Sequence, residues 1–202
     1  RSNDTEFPFR QDSIFKYFTG FSEQDSILVI TPSNEQKFHL FVQPKNEKME
    51  LWTGKRMGVE KAKSLLDMDE VYSVEDFDEK IVDLLPGHDA LYCDLFGGSK
   101  HVDDLLGFIK KTQAKYRKSP MNVPYRLGDI RHFTKQMRLI KDTNEIQFMK
   151  RASQITGKAH IRAMAKTRPG VNESEIAALL EYTFKREGAA SVAYESIVAG
   201  GD

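Results

Sequence analysis

Residues 27 to 52 decide the fold: Ile27-Leu28-Val29-Ile30, then Phe38-His39-Leu40-Phe41-Val42, then Met49-Glu50-Leu51-Trp52. β-Branched and aromatic residues crowd these short runs, as they do in strands, where such side chains pack well on a pleated surface. Pro32-Ser33-Asn34 fills the first gap and Pro44-Lys45-Asn46 the second, and both are turn chemistry. Connections this short suit antiparallel neighbours, so three successive strands are expected.

After Gly58 the apolar period changes from two to about 3.6. Ser73 can cap a helix that carries Val74, Phe77, Ile81, Leu84 and Leu85 on one face, and Pro86-Gly87 stops it. Ala90-Leu91-Tyr92-Cys93 reads as a buried strand broken by Gly97-Gly98. Ser99 then reads as the cap of a helix with Val102, Leu105, Leu106, Ile109 and Tyr116 on one side. Strands mixed with helices in this order predict an α/β layer with a mixed sheet and flanking helices.

Between Ser119 and Arg131 stand Pro120, Pro124 and Gly128 with little periodicity, so a domain connection is placed there or slightly later. The expected domains are residues 1–135 and 136–202. In the second, Asp142 and Glu145 have capping-box spacing ahead of a long helix striped with Phe148, Met149, Ala152, Ile155, Ala159 and Ala163. Lys166 and Arg168 suit the negative end of its dipole, and Pro169-Gly170 ends it. Asn172 and Glu175 repeat the cap for a helix with Ile176, Leu179, Leu180, Thr183 and Phe184 inward, closed by Gly188. Val192-Ala193-Tyr194 and Ile197-Val198 follow, and the sequence stops at Asp202, which reads as mid-domain.

The 202 residues carry 30 Lys+Arg against 30 Asp+Glu, with 40% hydrophobic and 30% charged residues, an ordinary globular composition. A zero balance lacks the basic excess with which nucleic-acid binders neutralise phosphates, so that class is set aside. No apolar run approaches the roughly 20 residues that a membrane-spanning helix needs. Cys93 is the single cysteine and stands in an apolar run with no Cys or His at ligand spacing, so it is expected to be a buried small hydrophobe. The chain opens at Arg1 without methionine in a patterned segment, which implies residues upstream and leaves any targeting signal unread.

Chemistry is hard to find. A metal-dependent hydrolase needs His, Asp or Glu side chains converging on rigid elements, whereas His39, His88, His101, His132 and His160 are scattered, with no pair at helical i, i+4 spacing. Gly97-Gly98-Ser99 lacks the closing glycine of a serine-nucleophile turn. Gly54, Gly58 and Gly200-Gly201 make no phosphate-cradling pattern. The basic run from Lys110 to Lys118 is expected to be a solvated helix face. No catalytic residue and no metal ligand is therefore named from the residues alone.

Three segments do carry a likeness. The opening Arg1-Ser2-Asn3-Asp4-Thr5-Glu6-Phe7-Pro8-Phe9-Arg10-Gln11-Asp12, continuing through Phe21, resembles the signature of the N-terminal domain of bacterial aminopeptidase P and its mitochondrial relatives. Met49 to Gly58 resembles a stretch of the same proteins. Met137 to Lys141, Glu145-Ile146, Ala159-His160, Met164, Pro169-Gly170, Glu173 and Tyr194 to Gly201 resemble the start of the pita-bread metallopeptidase domain.

The resemblance implies an α/β creatinase/aminopeptidase P N-terminal domain with a mixed sheet, followed by the incomplete start of an α+β pita-bread domain. It implies an enzyme that removes the first residue from peptides with proline second, using two divalent metal ions, usually manganese. The ligands, two Asp, one His and two Glu, would all lie downstream of Gly200-Gly201, so this piece would bind no metal and hydrolyse nothing. It further implies a homo-oligomer, dimer or tetramer, in the cytoplasm or mitochondria. Trp52 matches the tryptophan that in tetrameric relatives reaches a neighbouring subunit's active site, so it is the one substrate-binding candidate. Read from its residues alone, Trp52 would be half-buried at a strand end. Arg1, Asp4, Arg10 and Asp12 are expected to form a buried charge network joining the two domains. A prolidase-type dipeptidase and a metal-free peptide- or protein-binding relative are the alternatives. Phe7-Pro8-Phe9 and the stretch around Trp52 favour the aminopeptidase.

Overall fold

The computed structural model describes residues 9–97 and 100–200, so the readings placed on residues 1–8, Gly98 and Ser99 lie outside it. The chain forms two compact units, residues 1–135 and 136–202.

The first unit opens with α1 (Ser13–Thr19). Asp12 caps it, its carboxylate accepting from the amides of Ile14 and Phe15, and Gly20 at φ +64° ends it in the left-handed conformation that glycine adopts without strain. Both Arg10 and Asp12 are exposed rather than buried, and Asp12 works locally, on its own helix.

β1 (Ile27–Ile30) pairs antiparallel with β2 (Phe38–Val42), Leu28 opposite Leu40. β2 pairs parallel with β3 (Glu70–Ser73), Leu40 opposite Val71, giving a mixed sheet in the order β1-β2-β3. A parallel pair needs a crossover, which α2 (Glu47–Thr53) and α3 (Gly58–Leu65) supply. Asp69 fixes the entry to β3, its carboxylate accepting from the amides of Lys37 and Phe38 at 2.8 Å each. A 3-10 turn capped by Ser73 leads into α4 (Phe77–Leu84). Then β4 (Ala90–Cys93), α5 (Lys100–Lys115) and β5 (Arg126–Asp129) form a second, two-stranded parallel sheet, and α6 (Arg131–Leu139) follows.

The core sits on both faces of β2. Phe41 turns to one side, into a cluster with Phe77, Ile81, Leu105 and Phe108, while Leu40 and Val42 turn to the other with Phe21, Ala62 and Val71. Period-two alternation normally separates a wet face from a dry one. Here each face has its own cover, so the strand is buried from His39 to Val42, with Phe38 exposed at its start.

Several expectations change. Met49 to Trp52 is helical, within α2, because the Asn46 side chain accepts from the Met49 amide and so caps a helix rather than closing a turn. Glu70 to Ser73, in a stretch read as helical, is a strand because it pairs with β2. Arg126 to Asp129 has weak strand propensity and becomes β5 by pairing with β4. On α5, Phe108 is buried, while Leu106 is exposed.

The second unit is an antiparallel hairpin of α7 (Thr143–Lys166) and α8 (Glu173–Arg186). Both carry the expected capping boxes: Asp142 with Glu145, and Asn172 with Glu175. Ala159 and Ala163 let Ile176 and Leu180 approach closely, and Val171, Phe184 and Val198 pack around them. Glu187, at the end of α8, latches the pair by accepting Lys158 Nζ at 2.6 Å on its carboxylate and Arg151 Nη2 at 2.9 Å on its carbonyl. Of the expected α7 stripe, Ile155, Ala159 and Ala163 are buried, but Phe148, Met149 and Ala152 are exposed because α8 does not cover them.

Gly157 lies inside α7, and a methyl group built on it meets nothing within 4 Å. Gly157→Ala is therefore expected to raise stability by about 0.5–1 kcal/mol. Urea unfolding monitored by helical circular dichroism measures this; a fall in the midpoint would contradict it.

Candidate functional site

Trp52 stands on the last turn of α2, a helix with no buried residue. Asn46 caps its start, the Thr53 hydroxyl donates to the Met49 carbonyl at 3.0 Å, and Gly54 at φ +85° turns the chain away. Trp52 is 88% exposed and Leu51 85%, with Met49 also exposed, so the half-buried tryptophan expected from the residues alone is overturned. An indole that covers none of its own core offers a flat amphipathic surface with a free N–H donor to whatever approaches it. Beyond the helix, Arg56 Nη1 donates to the Pro44 carbonyl at 3.3 Å, and the Glu23 carboxylate accepts the Met57 amide at 2.8 Å. These bonds close both ends of the excursion that presents α2.

A second polar constellation gathers where β4 and β5 end. Arg131 makes a bidentate pair with Asp129, stands 3.4 Å from Asp94 Oδ1 and lies 5.0 Å over the Phe96 ring. The guanidinium, through its hydrogen bonds, holds the Asp129 carboxyl below the usual carboxylate range. Cys93 is half-buried beside it; burial first, and then the charges of Asp129 and Asp94, push its thiol up, away from a reactive thiolate. Next to this group, the Tyr92 ring lies close over Gly128, where a β-carbon would come within 2.4 Å of it and displace the ring.

The remaining titratable groups serve local structure. Lys115 and the Tyr116 hydroxyl both donate to Asp83, which draws the end of the basic run onto α4. His39 is buried, its Nε2 donating to the Gln36 carbonyl at 3.1 Å, and His160 is exposed with Nδ1 donating to the Thr156 carbonyl at 2.9 Å. Among the described residues no group of three or more His, Cys, Asp or Glu could hold a metal ion, and no helix is long and apolar enough to cross a membrane. The donors present thus do not fit a dinuclear metal centre.

Asp69, Asp83, Asp129 and Glu187 all ionise more readily in the folded chain: two backbone amides act on Asp69, Lys115 and Tyr116 on Asp83, Arg131 on Asp129 and Lys158 on Glu187. Their stabilising effect is complete above the ordinary carboxylate range and is lost as pH falls through their lowered folded values. The melting temperature should therefore hold from pH 7 down to about 5 and drop below about 4. A flat profile to pH 3 would contradict this.

Comparison with known proteins gives this arrangement a family. Residues 1–92 match the description "Aminopeptidase P, N-terminal domain", and residues 147–202 match "Metallopeptidase family M24". The Xaa-Pro aminopeptidase of Haemophilus influenzae is 38% identical over 202 residues, covering 100% of this chain and 44% of that protein. Xaa-Pro aminopeptidase 3 of Homo sapiens is 31% identical, with 100% and 40% covered. The structure of Pseudomonas aeruginosa aminopeptidase PepP superposes with a TM-score of 0.91 at 34% identity, over 98% of this chain and 45% of that one. Escherichia coli aminopeptidase P, solved with the inhibitor Pro-Leu, gives 0.83 at 33% identity, over 94% and 43%.

Fold and comparisons together define an α/β N-terminal domain leading into the start of a pita-bread metallopeptidase domain. The chain is similar along its whole length to the N-terminal portion of aminopeptidase P proteins, with its last part matching metallopeptidase family M24. It spans less than half the length of these relatives.

Proposed function

We propose that this chain is the N-terminal part of an enzyme that releases the first residue from peptides with proline second. The likeness runs the whole length of the chain, at 38% identity to a Xaa-Pro aminopeptidase, and this observation carries the reading. By resemblance, two divalent ions, manganese, would be held by Asp, His and Glu side chains downstream of Gly200-Gly201. The 202-residue chain alone is then inactive.

In this reading the working protein is a homo-oligomer in the cytoplasm or mitochondria, and Trp52 reaches the substrate cleft of a neighbouring subunit. Its exposure on a helix that buries nothing supports that role.

The test assays the 202-residue chain and the longer protein, each with manganese, on a tripeptide with proline second and on one without proline. The longer protein should release the first residue of the proline peptide only, and the short chain should release nothing. In the longer protein Trp52→Ala should lower kcat/KM about tenfold. An inactive longer protein would instead support a metal-free binding relative, and an active short chain would overturn the placement of the ligands.

A further inference from the structure

After α8 the chain runs without regular secondary structure, yet it is tied to the hairpin. The Ala189 amide donates to the Phe184 carbonyl at 2.9 Å, so the segment starts from a fixed point at the end of α8. Val198 packs against the cluster of Ala159, Ala163, Ile176 and Leu180. Two residues later the Gly200 amide donates to Glu173 Oε1 at 2.6 Å, across 27 residues of sequence. Between these points Tyr194 and Ile197 are exposed and add no burial.

We infer that Glu173 is a positioning residue, whose carboxylate sets the path by which the chain leaves the hairpin as far as Gly200. Val198 alone is a single apolar point, about which an irregular segment can still swing. A second attachment two residues on removes that freedom, because the chain between them is too short to hold many conformations. Glu173 suits the task. It stands at the first position of α8, on backbone made rigid by the Asn172 and Glu175 cap. An ionised acceptor makes a shorter and stronger bond to a backbone N–H than a neutral one.

Glu173 is not the residue that caps α8. Asn172 accepts from Ser174 N, and Glu175 accepts from Asn172 N. The Glu173 carboxylate is thus left for Gly200, and its removal should loosen the exit of the chain while the helix stays intact. The catalytic consequence rests on the function proposed above: side chains carried beyond Gly200 would inherit their placement from this contact.

Amide exchange in the 202-residue chain tests the contact directly. Glu173→Ala should speed Gly200 exchange about tenfold, Glu173→Gln, which keeps an acceptor oxygen, should restore most of the protection, and the amides of Ile155 and Leu180 should be unchanged. Unchanged Gly200 exchange in the alanine variant overturns the inference. Exchange that rises equally at Ile155 and Leu180 also overturns it, by making Glu173 a helix stabiliser. In the longer protein, Glu173→Ala should lower kcat with KM nearly constant, and Glu173→Gln should recover it. If that wild-type enzyme leaves proline peptides intact, the functional reading falls, and the exchange data still decide the role of Glu173.

Discussion

Phe41→Ala should destabilise the first unit by about 3–5 kcal/mol, the largest effect expected of any single truncation in it. Phe41 is wholly buried at the centre of β2, and its ring meets Phe77 edge-on at 5.1 Å and Tyr72 at 5.3 Å. Phe77 in turn meets Phe108 edge-on at 5.7 Å, so one side chain joins the sheet to α4 and, through it, to α5. Truncation removes the transfer free energy of the ring and leaves a cavity that these rigid neighbours fill poorly. Total domain stability is only about 5–15 kcal/mol, so a loss of this size consumes a large share of it. Urea unfolding followed by exchange at β2 amides gives the measurement. A change under about 1 kcal/mol would mean that the aromatic chain repacks without loss, as only volume-conserving core swaps normally allow. Leu106→Ala on the exposed side of α5 is the control and should be nearly silent.

Why some of this was legible and some not follows from where the information lies. The ends of α7 and α8 could be read because a capping box is closed within four residues: Asp142 with Glu145, and Asn172 with Glu175, need no tertiary partner. The opposite holds for β5. Arg126-Leu127-Gly128-Asp129 carries no strand pattern, and what makes it a strand is pairing with β4, whose Tyr92 ring lies over the bare backbone of Gly128. α2 fell between these cases, since Pro44-Lys45-Asn46 reads equally as a turn and as the approach to a helix cap. The apolar Met49, Leu51 and Trp52 then tipped the reading toward a strand, although none of them is buried.

Exposure was the hardest property to read. Phe148 and Met149 continue the apolar side of α7, yet helix periodicity says only which residues share a face and cannot say how far a partner helix extends along it. The proposed site residue shows the same limit. No rule of composition or spacing separates Trp52, an exposed indole on a short helix, from an ordinary core aromatic. Likeness to a family singled it out, and its position on α2 became visible only in three dimensions.

Leu180→Ala should have its largest effect within the second unit, because so few side chains hold that unit together. The buried apolar cluster between α7 and α8 is Ala159, Ala163, Ile176 and Leu180, with Val171, Phe184 and Val198 only partly buried around it, and two of its four members are alanines with little surface to contribute. Truncating Leu180 removes one of the two large members, at about 2–5 kcal/mol. The polar latch cannot replace it: Lys158 is mostly exposed where it meets Glu187, and such pairs contribute at most about 1 kcal/mol. A helix of 14 residues such as α8 is marginal in water by itself, so losing its anchor should melt it rather than shift it. Circular dichroism should show a loss of helix at 25 °C, with exchange protection lost at Ile155, Ala159 and Leu179. Met149→Ala, at an exposed position of α7, should leave both signals unchanged. If the Leu180 variant keeps its helical signal and its protection, the hairpin draws its stability from something other than this narrow apolar seam, and the seam is not what orders α8.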